Sequence, residues 1–299
     1  MIRARHIIIT TVLSLMAGTW VRAQGDPLVE ALRKFQAGDL VRAKELIDQA
    51  VKDPAHAQDP EAWLLRGFVY KDGFKDAKPG PEADLVRNEA LASLYTCMGL
   101  DDEGTYRENA MQAYDFLART YYNDAAKAMQ ELDDKRALQL YDNYKEAMLR
   151  VDPRANLRAR DIEFHNALGT VYTKRFDRDR TVVDWFNKAV DTFRKVLTID
   201  PENYGANYNL ATLYYNRGVY NIQRISADDD IPGIQRIQEV SREYFMDALP
   251  YMLKAHDMNP GRRETLLGLE IIYYSLQDQE RSDLYRRLFE ELPPVEQDR

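Results

Sequence analysis

The stretch LATLYYN, from Leu210 to Asn216, occurs in related form at two earlier places in the chain. LARTYYN occupies residues 117–123, and LGTVYTK occupies residues 168–174. In each copy a Leu is followed by a small residue and, four positions after the Leu, by a Tyr. At this spacing the three side chains share one face of a helix, where the small residue lets a partner helix approach closely. The pattern therefore predicts that Leu210, Ala211 and Tyr214 pack between stacked helices.

The remainder of the sequence is also helical in character. Apolar residues recur at i, i+3, i+4 and i+7, as in AKELIDQAV at 43–51 and AVDTFRKVL at 189–197. Gly and Pro separate such segments rather than interrupt them, and Pro cannot continue a helix. One helix pair cannot bury its apolar face, but a stack of pairs can. We therefore expect a stack of about six helix pairs. Asp-Pro or Asn-Pro dipeptides that close the predicted units are at 53–54, 152–153, 200–201 and 259–260.

These residues resemble the tetratricopeptide-repeat (TPR) family. The matching positions include Ala62-Trp63, Gly67 and Tyr70, then Leu168-Gly169 and Tyr172, then Ala189, Phe193 and Pro201, and finally Ala248, Ala255 and Pro260. The resemblance implies an all-α fold, a right-handed α-solenoid of about six TPR-like helix pairs within a repeat domain of residues 24–299. The expected units are 26–55, 60–102, 105–153, 156–201, 204–260 and 263–292.

The spacing of the units departs from the family period of about 34 residues. The extra residues fall mainly between the two helices of a unit, and the largest excess is at 219–247. Asp228–Asp230 followed by Pro232 predict the start of a long helix that reaches about Met258, with a kink at Pro250. The sequence KDAKPGP at 75–81 predicts a true loop. Several pairs are therefore expected to have elongated helices or inserts between their first and second helices.

The N-terminus resembles a secretory signal peptide. Residues 7–21 carry no charge, but 15 residues are too few for a membrane-spanning helix, which needs about 20. Val21-Arg22-Ala23 has small residues where a signal peptidase requires them, so a cut after Ala23 is predicted. The mature chain would then be exported and lie in the periplasm or at the outer envelope, without an integral membrane segment.

The charge balance limits the class of partner. The formal net charge is −8, and residues 1–23 hold three Arg and no acid, so their removal gives −11. An acidic chain is not expected to bind nucleic acid, which requires a basic surface. The single Cys97 cannot form an internal disulfide, and its helical spacing from Ala90 and Leu94 predicts a place in the core.

No constellation in the sequence predicts catalysis, and we expect no enzymatic activity, cofactor or metal. Asp161 and His165 can share a helix face, but no further His or Cys completes a ligand set. Asp228–Asp230 lack the spacing of a calcium loop. The sequence also has no Gly-rich phosphate loop and no serine elbow.

The resemblance also implies that the first helices line a concave groove. Tyr and Asn on such a wall suit an extended peptide, since Asn pairs with peptide backbone and Tyr offers contact area at low entropy cost. The alternative is that the Tyr side chains pack on neighbouring helices. It is favoured for Tyr121 and Tyr214 and stays open for Tyr122 and Tyr215. The candidate groove residues are Asp115, Arg119, Tyr122, Asn123, Asn166, Thr170, Thr173, Tyr208, Thr212, Tyr215, Asn216 and Tyr274. Leu267 and Ile271 occupy equivalent groove-facing positions in the last unit.

The sequence favours a non-enzymatic scaffold or adaptor of the cell envelope, which binds a protein or peptide through the groove or through the edge formed by the inserts. The alternative is a small-ligand or glycan-binding component of an envelope nutrient-uptake system. That alternative predicts a closed aromatic pocket on which Trp63, Trp185 and several Tyr converge.

Overall fold

The structure, a computed structural model, describes residues 25–293, and all regular structure in that range is helical. The predicted signal peptide, residues 1–23, lies outside the described residues. None of the described helices is long and apolar enough to cross a membrane. The twelve helices of this range are α1 Pro27–Gln36, α2 Leu40–Ala50, α3 Pro60–Asp76, α4 Pro81–Leu100, α5 Arg107–Gln130, α6 Asp134–Val151, α7 Arg158–Arg178, α8 Val183–Ile199, α9 Tyr204–Gln223, α10 Ile231–Met258, α11 Arg263–Ser275 and α12 Gln279–Glu290.

The helices pack as consecutive pairs. The most extensive contacts join α3 to α4, α7 to α8, and α9 to α10, while α2 with α3, α8 with α9, and α10 with α11 connect one pair to the next. In the third pair, the Tyr114 hydroxyl on α5 donates to the Ala147 carbonyl on α6 across 2.9 Å. The predicted α-solenoid of helix pairs is therefore confirmed.

The described chain divides into two compact units. The first contains the residues up to Asn123 together with Asp142–Arg154, and the second contains Asp124–Tyr141 together with the residues from Ala155 onward. Helices α5 and α6 therefore each contribute to both units.

Close contact at a small residue recurs in the helix pairs of both units. In the first unit, a Cβ atom built on Gly67 would lie 2.5 Å from Cδ2 of Leu94 on the partner helix. In the second, a Cβ on Gly169 would lie 2.6 Å from the Phe193 ring. These approaches are too short for any side chain, so the predicted role of the small residue in the repeated stretch is confirmed. Leu210 and Ala211 are completely buried, as predicted.

The tyrosine of the repeated stretch reaches back to the preceding helix pair. In four consecutive pairs, its hydroxyl meets a polar side chain on the second helix of the pair before it. Such a bond satisfies a hydroxyl that packing would otherwise bury without a partner. The four contacts are Tyr70 to Asp48 at 2.8 Å, Tyr121 to Asn88, Tyr172 to Asp134 at 3.4 Å, and Arg194 to Tyr214 at 2.9 Å.

The largest insert forms helix, as predicted. The Asp230 carboxylate accepts a hydrogen bond from the Gly233 backbone N–H across 2.8 Å and so caps α10. This helix then continues through Pro250 to Met258. The predicted loop at 75–81 is narrower than expected, since only residues 77–80 separate α3 from α4. The reason is that Pro81 occupies the first turn of α4, where a missing backbone N–H costs nothing.

The predicted core position of Cys97 is also confirmed. Its side chain is completely buried in α4 of the first unit. Burial raises the pKa of the thiol to about 12, because the thiolate would have to form in an apolar surrounding. Cys97 is therefore a packing residue with an unreactive thiol.

Candidate partner-binding site

In the first unit, the four candidate groove residues are mostly engaged with their own neighbours. Arg119 Nε lies 2.9 Å from an Asp115 carboxylate oxygen, one turn earlier on α5. The Tyr122 ring meets the edge of the Tyr144 ring, with centroids 5.4 Å apart. Asn123 is exposed. Tyr122 therefore has a ring partner on α6, and its role as a groove residue stays a prediction.

Three candidate threonines of the second unit use their hydroxyl protons on their own helices. Thr170 donates to the Asn166 carbonyl, Thr173 to the Gly169 carbonyl and Thr212 to the Tyr208 carbonyl, each across 2.9 Å. Such bonds to the preceding turn leave the side-chain methyl group as the remaining contact surface. These threonines therefore offer a partner mainly apolar contact.

Asn166 connects two helix pairs rather than facing an open surface alone. Its Nδ2 donates to the Asn203 side-chain oxygen across 3.1 Å, and the same oxygen caps the N-terminus of α9. Asn166 therefore helps to fix where the fifth pair begins.

The second unit contains a recess with a cavity volume of about 190 Å³. Its walls come from α9 and α11, and α10 contributes to its floor. Four of the predicted residues lie here together, all of them on α9. The lining residues are Tyr208, Thr212, Tyr215, Asn216, Met252, Glu264, Leu267, Gly268, Ile271 and Ile272.

Close helix packing builds this recess. A Cβ on Gly268 would lie 2.5 Å from the Met252 terminal methyl, so the absence of a side chain there makes room for the Met252 side chain of α10. The Tyr215 ring packs on the Phe245 ring of α10, with centroids 5.4 Å apart. The Tyr208 ring stacks on the Tyr204 ring, with centroids 5.9 Å apart. The aromatic side chains are thus held in place before any partner binds.

The recess has few polar groups, and they differ in whether a protein partner already engages them. Glu264 pairs with Arg262 across 3.2 Å, so its charge is partly compensated. The Asn216 side chain makes no hydrogen bond to protein within residues 25–293. Its amide can both donate and accept, which matches the backbone of an extended peptide. Leu267 is 44% exposed, a large fraction for an apolar side chain at such a site.

The other eight candidate residues, Tyr274 among them, do not line this recess, and sequence reasoning missed several residues that do. Tyr274 is on α11 and 64% exposed, but it does not line the recess. Leu267 and Ile271 occupy groove-facing positions of the family pattern, so their place in the repeat could have identified them as lining residues. Met252 lies on a different helix, α10. The only signal for it in the sequence was Gly268, whose missing side chain leaves Met252 open to the recess.

The two tryptophans do not converge on the recess. In the first unit, the Trp63 indole N–H donates to the Ala57 carbonyl across 2.9 Å. In the second, the Trp185 ring stacks on the Tyr172 ring, with centroids 5.9 Å apart. Neither tryptophan lines the recess, so the recess lacks the converging tryptophans that the small-ligand alternative predicts.

The Asp161–His165 pair has a structural partner for each group. The Asp161 carboxylate accepts from the Tyr141 hydroxyl across 2.8 Å, and His165 Nδ1 lies 2.6 Å from the Asp161 carbonyl oxygen. Across residues 25–293, no three His, Cys, Asp or Glu side chains are grouped so that they could hold a metal ion.

The chain is similar to several proteins of known structure. PilW, a type IV pilus biogenesis factor, is 16% identical with a TM-score of 0.38, over 90% of this chain and 94% of that one. A tetratricopeptide-repeat protein from Parabacteroides merdae is 15% identical with a TM-score of 0.32, over 90% and 93%. The human IFIT1 dimer with m7Gppp-AAAA is 14% identical with a TM-score of 0.37, over 90% of this chain and 50% of that one.

The chain therefore spans about half the length of the IFIT1 chains that it matches. The sequence matches no protein-family model and no curated protein. Identities and TM-scores are low, so the assignment rests on the helix pairs themselves. The fold is TPR-like. In a TPR-like fold, the Gly169–Phe193 and Gly67–Leu94 contacts are the close approaches within a pair, and the tyrosine hydroxyls connect one pair to the next.

Proposed function

We propose that this protein is a non-enzymatic scaffold that binds an extended segment of a partner protein in the recess of its second unit. The observation that carries the proposal is the Asn216 amide, unpaired within the described residues, beside an apolar floor. An extended peptide presents backbone N–H and C=O groups in alternation with side chains, and an Asn amide pairs with both kinds of group. The recess volume fits one side chain of moderate size.

The rigidity of the walls supports this function. Tyr208 and Tyr215 are each fixed by a ring contact, so binding does not require these side chains to be ordered first. Pre-organised aromatic side chains raise affinity because less conformational entropy is lost on binding. Leu267 and Ile271 contribute apolar surface to the walls of the recess.

We further propose that the scaffold acts in the cell envelope, in the periplasm or at the outer membrane. The uncharged segment at 7–21 and the Val21-Arg22-Ala23 sequence support export. The net charge of −8 supports a protein or peptide partner over nucleic acid. Expression with a C-terminal tag, cell fractionation and N-terminal sequencing test this, since an N-terminus at Gln24 in the periplasmic fraction is expected. An uncut chain in the cytosol would contradict it.

The binding proposal is tested with peptides selected from a random library displayed on phage. Leu267→Asp places a charge at the mouth of the recess, and we expect it to weaken the selected peptides at least tenfold in calorimetric titrations. Tyr274→Ala, on the same helix but outside the recess, is the matched control and should change affinity less than twofold. Equal affinity of the Leu267→Asp variant and the unaltered protein would refute the recess as the binding site.

A further inference from the structure

Three arginines of the second unit surround one tyrosine ring near the largest insert. The guanidinium carbons of Arg180, Arg217 and Arg224 lie 5.8, 5.6 and 5.7 Å from the centroid of the Tyr220 ring. Arg217, Tyr220 and Arg224 are spaced i, i+3 and i+7 on α9 and its C-cap, so they share one helix face. Arg180 comes from the short connection between α7 and α8. We call this set the arginine cluster.

The two arginines that α9 and its C-cap contribute to this cluster lie on a different side of the helix from Tyr208 in the recess. Each residue of an α-helix advances by about 100°, so Arg217 lies half a turn away from Tyr208. None of the four cluster residues lines the recess, so this surface is distinct from the one in the proposed function.

The positive charges in the cluster are only partly compensated. Arg180 has a carboxylate, that of Asp177, at 3.1 Å. Within residues 25–293, Arg217 and Arg224 have no ion pair, and Arg217 Nε is buried without a hydrogen-bond partner. Arg217 Nη1 donates to the Arg180 carbonyl, across 3.0 Å, which fixes the orientation of its guanidinium.

The acids of the adjacent turns are already engaged. The Asp179 carboxylate accepts from the Thr181 backbone and hydroxyl, and these bonds lower the pKa of Asp179. Asp229 accepts from the Ser226 backbone across 2.8 Å, and Asp230 caps α10. These carboxylates therefore bond within their own turns, and none of them forms an ion pair with Arg217 or Arg224, on a chain whose overall charge is −8.

We propose that the arginine cluster binds an acidic segment of a partner protein. A guanidinium presents a planar fork of N–H donors that matches a carboxylate, and an anion within reach of Arg217 and Arg224 would supply the charge that they lack. The three guanidinium groups around the Tyr220 ring can pair with several carboxylates of neighbouring acidic residues. The ring itself offers apolar contact to the methylene groups of those acidic side chains. Because the chain as a whole is negative, the binding of an acidic segment depends on local contacts with this cluster rather than on long-range attraction.

The test uses a fluorescein-labelled hexaglutamate peptide and the purified chain in low-salt buffer, with binding followed by fluorescence anisotropy. The Arg217→Gln/Arg224→Gln double variant is expected to raise Kd at least tenfold. Its matched control is Arg236→Gln/Arg242→Gln, which changes the net charge equally at two exposed positions of α10 and should alter Kd less than twofold.

Arg224→Gln alone is the variant least able to disturb the fold, because Arg224 is exposed and caps the helix only through its backbone. It is expected to raise Kd about threefold while the circular dichroism spectrum stays unchanged. The proposal is overturned if the unaltered protein does not bind the peptide, or if both double variants lose affinity equally. It is also overturned if inorganic phosphate displaces the peptide at lower concentration than unlabelled hexaglutamate does.

Discussion

Arg194 Nη2 donates a hydrogen bond to the Tyr214 hydroxyl across 2.9 Å and so connects α8 of one helix pair to α9 of the next. The Tyr214 ring also stacks on the Tyr251 ring of α10, with centroids 6.2 Å apart. Only 5% of Tyr214 is exposed. Burial raises the pKa of its hydroxyl, which stays a neutral hydrogen-bonding group. The tyrosine of the repeated stretch is therefore a packing residue.

Tyr214→Phe tests this connection directly. Removal of the hydroxyl leaves an Arg194 donor without its acceptor, and a net loss of about 1 kcal/mol of stability is expected. Tyr215→Phe is the matched control, because the Tyr215 hydroxyl makes no hydrogen bond within the described residues. This variant should lose less than about 0.5 kcal/mol of stability. Urea unfolding followed by circular dichroism measures both. Equal midpoints for the two variants would contradict the assignment.

Gly169→Ala tests the close approach within a pair. Its Cβ would meet the Phe193 ring at 2.6 Å, and a loss of about 1–3 kcal/mol is expected from overpacking. At Gly73, in the middle of α3, an added Cβ would lie 3.6 Å from Val86, an ordinary contact. Gly73→Ala should therefore stabilise the protein by up to about 1 kcal/mol through helix propensity. The two glycine variants should shift the thermal midpoint in opposite directions, and shifts of the same sign would refute the argument.

Arg87→Ala tests a fully buried charge in the first unit. The Arg87 guanidinium lies 3.6 Å from the Tyr121 ring centroid and donates to Asp84 across 2.5 Å. Its removal breaks this buried ion pair, so a loss of about 3–5 kcal/mol is expected. Arg119→Ala breaks an exposed ion pair and should cost at most about 1 kcal/mol. Denaturant midpoints compare the two, and similar shifts would contradict the buried role of Arg87.

Alkaline pH is expected to destabilise the fold. Burial raises the pKa of Tyr114 to about 12, whereas a tyrosine of an unfolded chain ionises near pH 10. Between these values the unfolded state has lost a proton that the native state keeps, so stability falls as pH rises, by up to about 1.4 kcal/mol per pH unit for each such group. Tyr114→Phe removes one group and should flatten the slope of the unfolding midpoint against pH from 10 to 12. A slope identical to that of the unaltered protein would refute this.

Much of the fold was predictable because helix packing follows residue spacing. The Leu, small residue and Tyr of LATLYYN specify a helix face, and Asp230 with Pro232 specifies where α10 begins. The loop between α3 and α4 was placed too broadly, because Pro81 fits both a loop and a first helical turn. The division of α5 and α6 between two compact units was also not predicted, since it depends on tertiary contacts that residue spacing does not specify.

The candidate site was predictable only in part. Position within the repeat placed Tyr208, Tyr215 and Asn216 on a shared face of α9, and the structure places all three in the recess. The same reasoning could not show that Tyr122 packs on Tyr144, because that contact joins two different helices, α5 and α6. The arginine cluster was missed as well, because Arg180 lies far in sequence from Arg217.

The central claim, that an extended peptide binds in the recess of the second unit, is tested most directly by photocrosslinking. A peptide selected on the unaltered protein carries benzoylphenylalanine in place of its most apolar residue, and the crosslinked position is located by mass spectrometry after proteolysis. We predict crosslinks to Met252, Leu267 or Ile271, which line the recess. Crosslinks found instead on residues 115–123 or 226–246, with the recess unlabelled, would contradict the account.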